Sequence, residues 1–200
     1  MRTIAVLATL LLGVPLSAAG QSVFMAHTGA YIEGKVPDIA LTYQFLRSNT
    51  QPGQCGCFNL NGAGLSASWE FRPHLAAVVE GDADFATNGP GTGNSMTLVS
   101  GVAGARYTLP VQARFRRAPQ FFAEAMVGAG HAGGGIAGAG DGNFGLVGRA
   151  GGGFDDALTP RLALRFEADY APTAFANGVN DHQNNLLIAV GFVFRWSHFR

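Results

Sequence analysis

Two runs near the carboxyl end alternate strictly between large apolar residues and small or charged ones. Over residues 161–170, Leu162, Leu164, Phe166, Ala168 and Tyr170 fall on one parity and Arg161, Ala163, Arg165, Glu167 and Asp169 on the other. Over residues 186–196, Leu186, Ile188, Val190, Phe192, Phe194 and Trp196 stand opposite Leu187, Ala189, Gly191, Val193 and Arg195. Period two is the signature of a pleated strand whose two faces meet different surroundings. One face is large and apolar, the other small or charged, as in a membrane-spanning β-barrel with lipid outside and a polar interior.

The same alternation recurs upstream. Residues 38–47 place Ile39, Leu41, Tyr43 and Phe45 outward, and residues 64–71 do the same with Leu65, Ala67, Trp69 and Phe71. After the short turn Arg72-Pro73-His74, a third strand turns Leu75, Ala77, Val79, Ala83 and Phe85 outward and Glu80, Asp82 and Asp84 inward. Residues 97–108 form a fourth strand with Arg106 on the inner parity. Residues 120–131 form a fifth, with Phe121, Ala123, Ala125 and Val127 outward and Glu124 inward. Glycine dilutes the pattern of a sixth, residues 144–155, whose inner face carries Arg149. With the two carboxyl-terminal strands the count is eight, the smallest that closes such a barrel.

The connections before strands three and seven are short. Those before two, four, six and eight are longer and polar, and the linker before strand five is intermediate. Short periplasmic turns alternating with longer external loops give this asymmetry. In an up-and-down barrel Trp69, Phe71, Tyr107, Phe121, Phe194 and Trp196 then fall at one rim, as an aromatic girdle.

Composition sharpens the choice between a membrane barrel and a soluble one. Charged residues are 13% of the 200-residue chain and Lys35 is its one lysine, whereas a soluble surface wants ~25–35% charge. The net charge of zero gives no reason to expect a nucleic-acid partner. The 29 glycines suit tight turns and a narrow interior.

The amino terminus reads as a secretory signal peptide, residues 1–20: Arg2, an apolar stretch, then Ser17-Ala18-Ala19 as the cleavage site. The apolar stretch is too short for a transmembrane helix, so insertion is expected only as a barrel. Residues 21–37 are a periplasmic lead-in, 38–196 the barrel and 197–200 a tail. The expected location is the bacterial outer membrane, with its lipid and the barrel-assembly machinery as partners and the loop partner open.

Several segments resemble one family. GGGFDDALTPRLALRFEADY followed by QNNLLIAVGFVFRW, CGCFNLNG after LRSN, and GARY in the fourth strand are similar to small outer-membrane barrel proteins with an OmpA-like transmembrane domain. The resemblance covers residues 38–196 and implies an eight-stranded outer-membrane barrel without a known activity. Barrels of this kind usually end on a terminal aromatic, and here SHFR follows Trp196, with Phe199 able to take that part.

Inner-face charges are the most specific polar feature. Glu70, Glu80, Asp82, Asp84, Glu124, Glu167 and Asp169 face Arg106, Arg149, Arg161, Arg165 and Arg195. They read as an ion network filling the lumen, since buried charges persist when paired and arginine's planar fork suits carboxylates. The competing reading is an acid cluster for a cation or for acid–base chemistry.

Cys55 and Cys57, in an oxidising compartment, suggest a small disulfide loop. One-residue spacing is tight for that geometry, which keeps mixed or free thiols in play.

Gly128, Gly130 and Gly133 match the dinucleotide fingerprint, but no helix follows to hold a pyrophosphate. No histidine is placed to activate a serine. The expectation is a non-enzymatic, cofactor-free barrel with a structural or surface role. A narrow channel or small-ligand binder is the alternative, and a lipid-modifying enzyme ranks behind it.

Overall fold

A computed structural model describes residues 37–49, 57–87, 95–110, 119–134, 143–176 and 181–196. Its strands are β1 (Asp38–Asn49), β2 (Cys57–Arg72), β3 (Leu75–Ala86), β4 (Met96–Thr108), β5 (Gln120–Gly133), β6 (Asn143–Ala157), β7 (Leu162–Tyr170), β8 (Thr173–Ala174) and β9 (Asn185–Phe194). All pairings are antiparallel: β1 to β7 pair in chain order, β7 pairs with β9, and β1 pairs with β9 to close the sheet. The two-residue β8 continues the path of β7 past Ala171 and Pro172 and pairs with Val147 and Leu146 of β6. The fold is thus an all-β, up-and-down barrel of eight long strands.

The stagger of the barrel follows from the register. From Gln44, partners run through Gly62, Asp84 and Leu98 to Ala132 on β5. The opposite way round, through Ala189, Glu167 and Gly153, they arrive at Phe122, ten residues back on β5. Such a stagger requires strands tilted by ~35–45° to the barrel axis.

The outside is the apolar parity. Leu41, Tyr43, Leu65, Val79, Phe85, Val99, Val127, Leu146, Ile188, Val190 and Phe192 are all exposed. At the end that carries the short turns, Trp69, Phe71, Tyr107, Phe121, Phe194 and Trp196 form an exposed ring. Phe154 joins it, its ring centroid 5.9 Å from Phe121 and 5.1 Å from Phe166. These are cross-strand neighbours in the register, so the girdle is continuous across β5, β6 and β7.

Strand extents differ from those the alternation suggests. β2 begins at Cys57, seven residues before Gly64. Leu60 is buried on the inner parity, where an apolar-outside template scores it as a mismatch.

Candidate functional site in the lumen

Position along the barrel axis determines what each inner residue meets. At the loop end the lumen is filled by an apolar cluster that includes Leu46, Leu60, Met96, Leu98, Phe175 and Leu187. The expected polar interior is therefore interrupted at the loop end, where Ser48, Asp84, Thr173 and Asn185 are the buried polar side chains among apolar ones. Narrow barrels fill their interior with side chains, and apolar ones seal the loop half here.

Below this cluster lies a transverse ion bridge. Arg149 on β6 reaches across to β3, where Nη1 donates to Glu80 Oε1 and Nη2 to Asp82 Oδ2, each at 2.5 Å. Gln44 Nε2 donates to the same Glu80 oxygen at 2.9 Å, and Ser100 Oγ donates to Asp82 at 2.8 Å. All five side chains are buried. Charge-assisted, two-pronged contacts of this kind fix the arginine fork in one orientation.

Two further pairs join residues directly opposite in the ladder. Arg106 faces Glu124, with Nε and Nη2 both 2.6 Å from Oε2, and Glu167 lies 3.8 Å away. Asp155 faces Arg165 and accepts from its Nε at 2.8 Å and Nη2 at 3.0 Å. The guanidinium carbons of Arg106 and Arg165 sit 4.3 and 4.8 Å from the centre of the Phe122 ring. A buried phenyl ring therefore holds the two arginines together by cation–π attraction.

A cavity of about 290 Å³ opens at the turn end. Arg106, Arg165, Arg195, Asp155, Phe122 and Gln120 are among its lining. Arg195 is half-buried there and donates to Asp155 at 2.9 Å and to Gln120 at 3.2 Å.

The sequence-derived set is thus only partly one network. Glu80, Asp82, Arg106, Glu124, Arg149, Arg165 and Arg195 make ion pairs, and Glu167 stands at the edge of the Arg106 pair. Asp84 and Asp169 are buried with neither oxygen meeting a hydrogen-bond partner among the described residues. Glu70 stands on the inner parity at the open turn end, in the lining of the cavity with Arg106 and Arg195. It is exposed beside a register shift between Glu70 and Arg72 and accepts from the His74 amide at 3.3 Å. Arg161 is exposed in the turn before β7.

The alternation places Gln44 inward without giving it a partner, and it does not single out Asp155, Ser100 or Phe122. Asp155 stands on the inner parity directly opposite Arg165, so a register for β6 and β7 would have found it. The Gly128–Gly133 run lies within β5, where no helix amino terminus can form. The cysteine pairing lies outside the described residues.

No protein-family model matches the chain, and no curated protein sequence matches it. Solved structures do. Neisserial surface protein A (NspA) superposes with a TM-score of 0.66 at 16% identity, covering 82% of this chain and all of that one. The fold is that of small outer-membrane barrels. Ail, the attachment invasion locus protein of Yersinia pestis, in complex with the heparin analogue sucrose octasulfate, gives 0.51 at 14% identity, covering 80% of this chain and 99% of Ail. Ail without that ligand gives 0.50 at 13% identity, with the same coverage. At these identities the likeness is one of fold.

Proposed function

We propose that this chain is an outer-membrane barrel of a Gram-negative-type envelope, with a structural or surface-exposed role and no enzymatic activity. Its strand order, turn and loop asymmetry and apolar outer face support that location. In this orientation the turn end and its cavity face the periplasm, and the loops between β1 and β2, β3 and β4, β5 and β6, and β8 and β9 face outward. Kinship with OmpA-like transmembrane domains rests on the sequence segments quoted above.

One observation carries the non-conducting reading. A water-filled pore leaves its lining wet, yet the inner side chains Gln44, Leu60, Val78, Asp84, Asp169 and Leu187 are each less than 2% exposed. Arg149 spans the lumen to β3. The purified protein in a planar bilayer should therefore give no steady conductance above the lipid baseline. Regular ohmic steps from folded monomer would overturn this in favour of a narrow channel.

A surface role is supported by the outward loops and by the neighbours' own descriptions as a surface protein and an attachment protein. Its first test is fractionation of cells making the full chain. The folded protein should sediment with the outer membrane and begin at Gly20 or Gln21. Recovery in the soluble fraction would remove the reading.

A further inference from the structure

The buried charges of the lumen do not balance. Glu80, Asp82, Asp84, Glu124, Asp155, Glu167 and Asp169 are buried, against Arg106, Arg149 and Arg165, with Arg195 half-buried at the mouth. Arg149 serves Glu80 and Asp82, Arg106 serves Glu124, and Arg165 and Arg195 serve Asp155. The surplus is three negative charges, borne by Asp84, Asp169 and the loosely paired Glu167. An isolated buried carboxylate is costly, so it must gain a counter-charge or a proton.

The surplus is not spread evenly. Oxygens of Glu124, Glu167 and Asp169 all lie within 4.8 Å of one another. The register explains why they meet. Glu124 on β5 stands opposite Gly151 on β6, and Gly151 stands opposite Asp169 on β7. Gly151 places no side chain between the two acids, and a Cβ there would collide with Asp169 Oδ1. Glu167 is opposite Gly153, the next inward residue of β6. Gly151 and Gly153 therefore leave the inner face of β6 without a side chain where the three carboxylates converge.

Two of those carboxylates have oxygens without a hydrogen-bond partner among the described residues. Asp169 is 1% exposed and neither of its oxygens meets a donor among the described residues. Arg106 engages Oε2 of Glu124 and leaves Oε1 without a partner.

We infer that Glu124, Glu167 and Asp169 bind a hard divalent cation of calcium's size. All the donors are carboxylate oxygens, which select calcium-like and magnesium-like ions over softer metals. Ligands on opposite sides of a calcium ion lie ~4.6–5.2 Å apart, twice its usual bond length, which spans this cluster. Protons on these acids are the competing way to relieve the surplus, and they carry their own infrared band. Arg106 and the ion hold Glu124 from its two oxygens, which ties the cation to the Arg106–Phe122–Arg165 stack. The site depends on the lumen geometry and is independent of which membrane holds the barrel.

The test uses the full protein folded in maltoside micelles, which carry no phosphate, dialysed against calcium chloride. Elemental analysis should find about one calcium per folded barrel, removed by prolonged chelation. Loss of an outer-shell partner already weakens metal sites about 10–100-fold, so Asp169→Asn and Glu167→Gln should weaken calcium binding at least as much. Asp84→Asn, equally buried but outside the cluster, should bind calcium as the native protein does. If either variant fails to fold, Glu124→Gln removes a third ligand while its amide oxygen still accepts from Arg106. No calcium on the folded native barrel would overturn the inference. So would unchanged binding in the ligand variants, or an infrared band of protonated carboxylic acid that calcium leaves intact and Asp169→Asn abolishes.

Discussion

Replacing Arg149 with alanine should destabilise the folded barrel by about 3–5 kcal/mol, the cost of stripping a buried charge pair of one partner. Arg149 meets two carboxylates at 2.5 Å, and its side chain is 3% exposed. Its removal leaves Glu80 with Gln44 alone and Asp82 with Ser100 alone, neither of which supplies a positive charge. The apolar cluster keeps water from reaching the two acids from the loop side. The measurement is reversible urea unfolding in phospholipid vesicles, followed by tryptophan emission. Arg149→Met combined with Glu80→Gln and Asp82→Asn should recover much of the loss, since a neutral buried set carries no stranded charge. A change under ~1 kcal/mol for Arg149→Ala would place that arginine among exposed pairs and contradict the bridge.

The second large effect belongs to the outer surface. Val190 lies on β9 midway between Leu186 and Phe194, with Tyr43 and Phe166 beside it. Arginine at this position should cost about 2–4 kcal/mol, as charge does near a bilayer midplane. The same change at Trp196, in the aromatic ring, should cost only ~0–1 kcal/mol from charge, because the side chain reaches the interface. Trp196→Arg also removes an aromatic anchor, so Trp196→Gln serves as the neutral reference. Unfolding in vesicles reads both. Equal penalties at 190 and 196 would mean that no depth-dependent lipid phase surrounds β9.

The outward face was legible because strand periodicity is two and lipid demands apolar side chains at every outward position. Leu41, Leu65, Val79, Val127 and Ile188 all stand exposed on the parity that the alternation indicates. The inward face was less legible, because the lumen accepts whatever fills it. Leu46, Leu60 and Leu187 are as buried there as Arg149. That mixture blurred the start of β2, where Phe58 and Leu60 point inward beneath an apolar roof.

Ion pairs between facing strands follow from register, as Arg106 with Glu124 and Asp155 with Arg165 show. The Arg149 bridge does not. It joins β6 to β3 across the lumen, and the stagger of a closed barrel sets which inner residues share a level. The convergence of Glu124, Glu167 and Asp169 follows from register as well, since Gly151 and Gly153 on the intervening β6 stand opposite them. Glu70 keeps the inner parity opposite Ala76 and lines the cavity at the exposed turn-end mouth.

The central claim is that the apolar face of the barrel meets lipid while the opposite face lines a closed lumen. Single spin labels at 41, 127, 188 and 190 in vesicle-inserted protein test it most directly, with Ala189 as the inward control. Relaxation by oxygen, which concentrates in the hydrocarbon, should be strong at the four outward sites, and relaxation by a water-soluble nickel chelate should be weak there. The label at 189 should respond little to either agent. Strong nickel relaxation at 188 and 190, or oxygen relaxation at 189 exceeding theirs, would contradict the account.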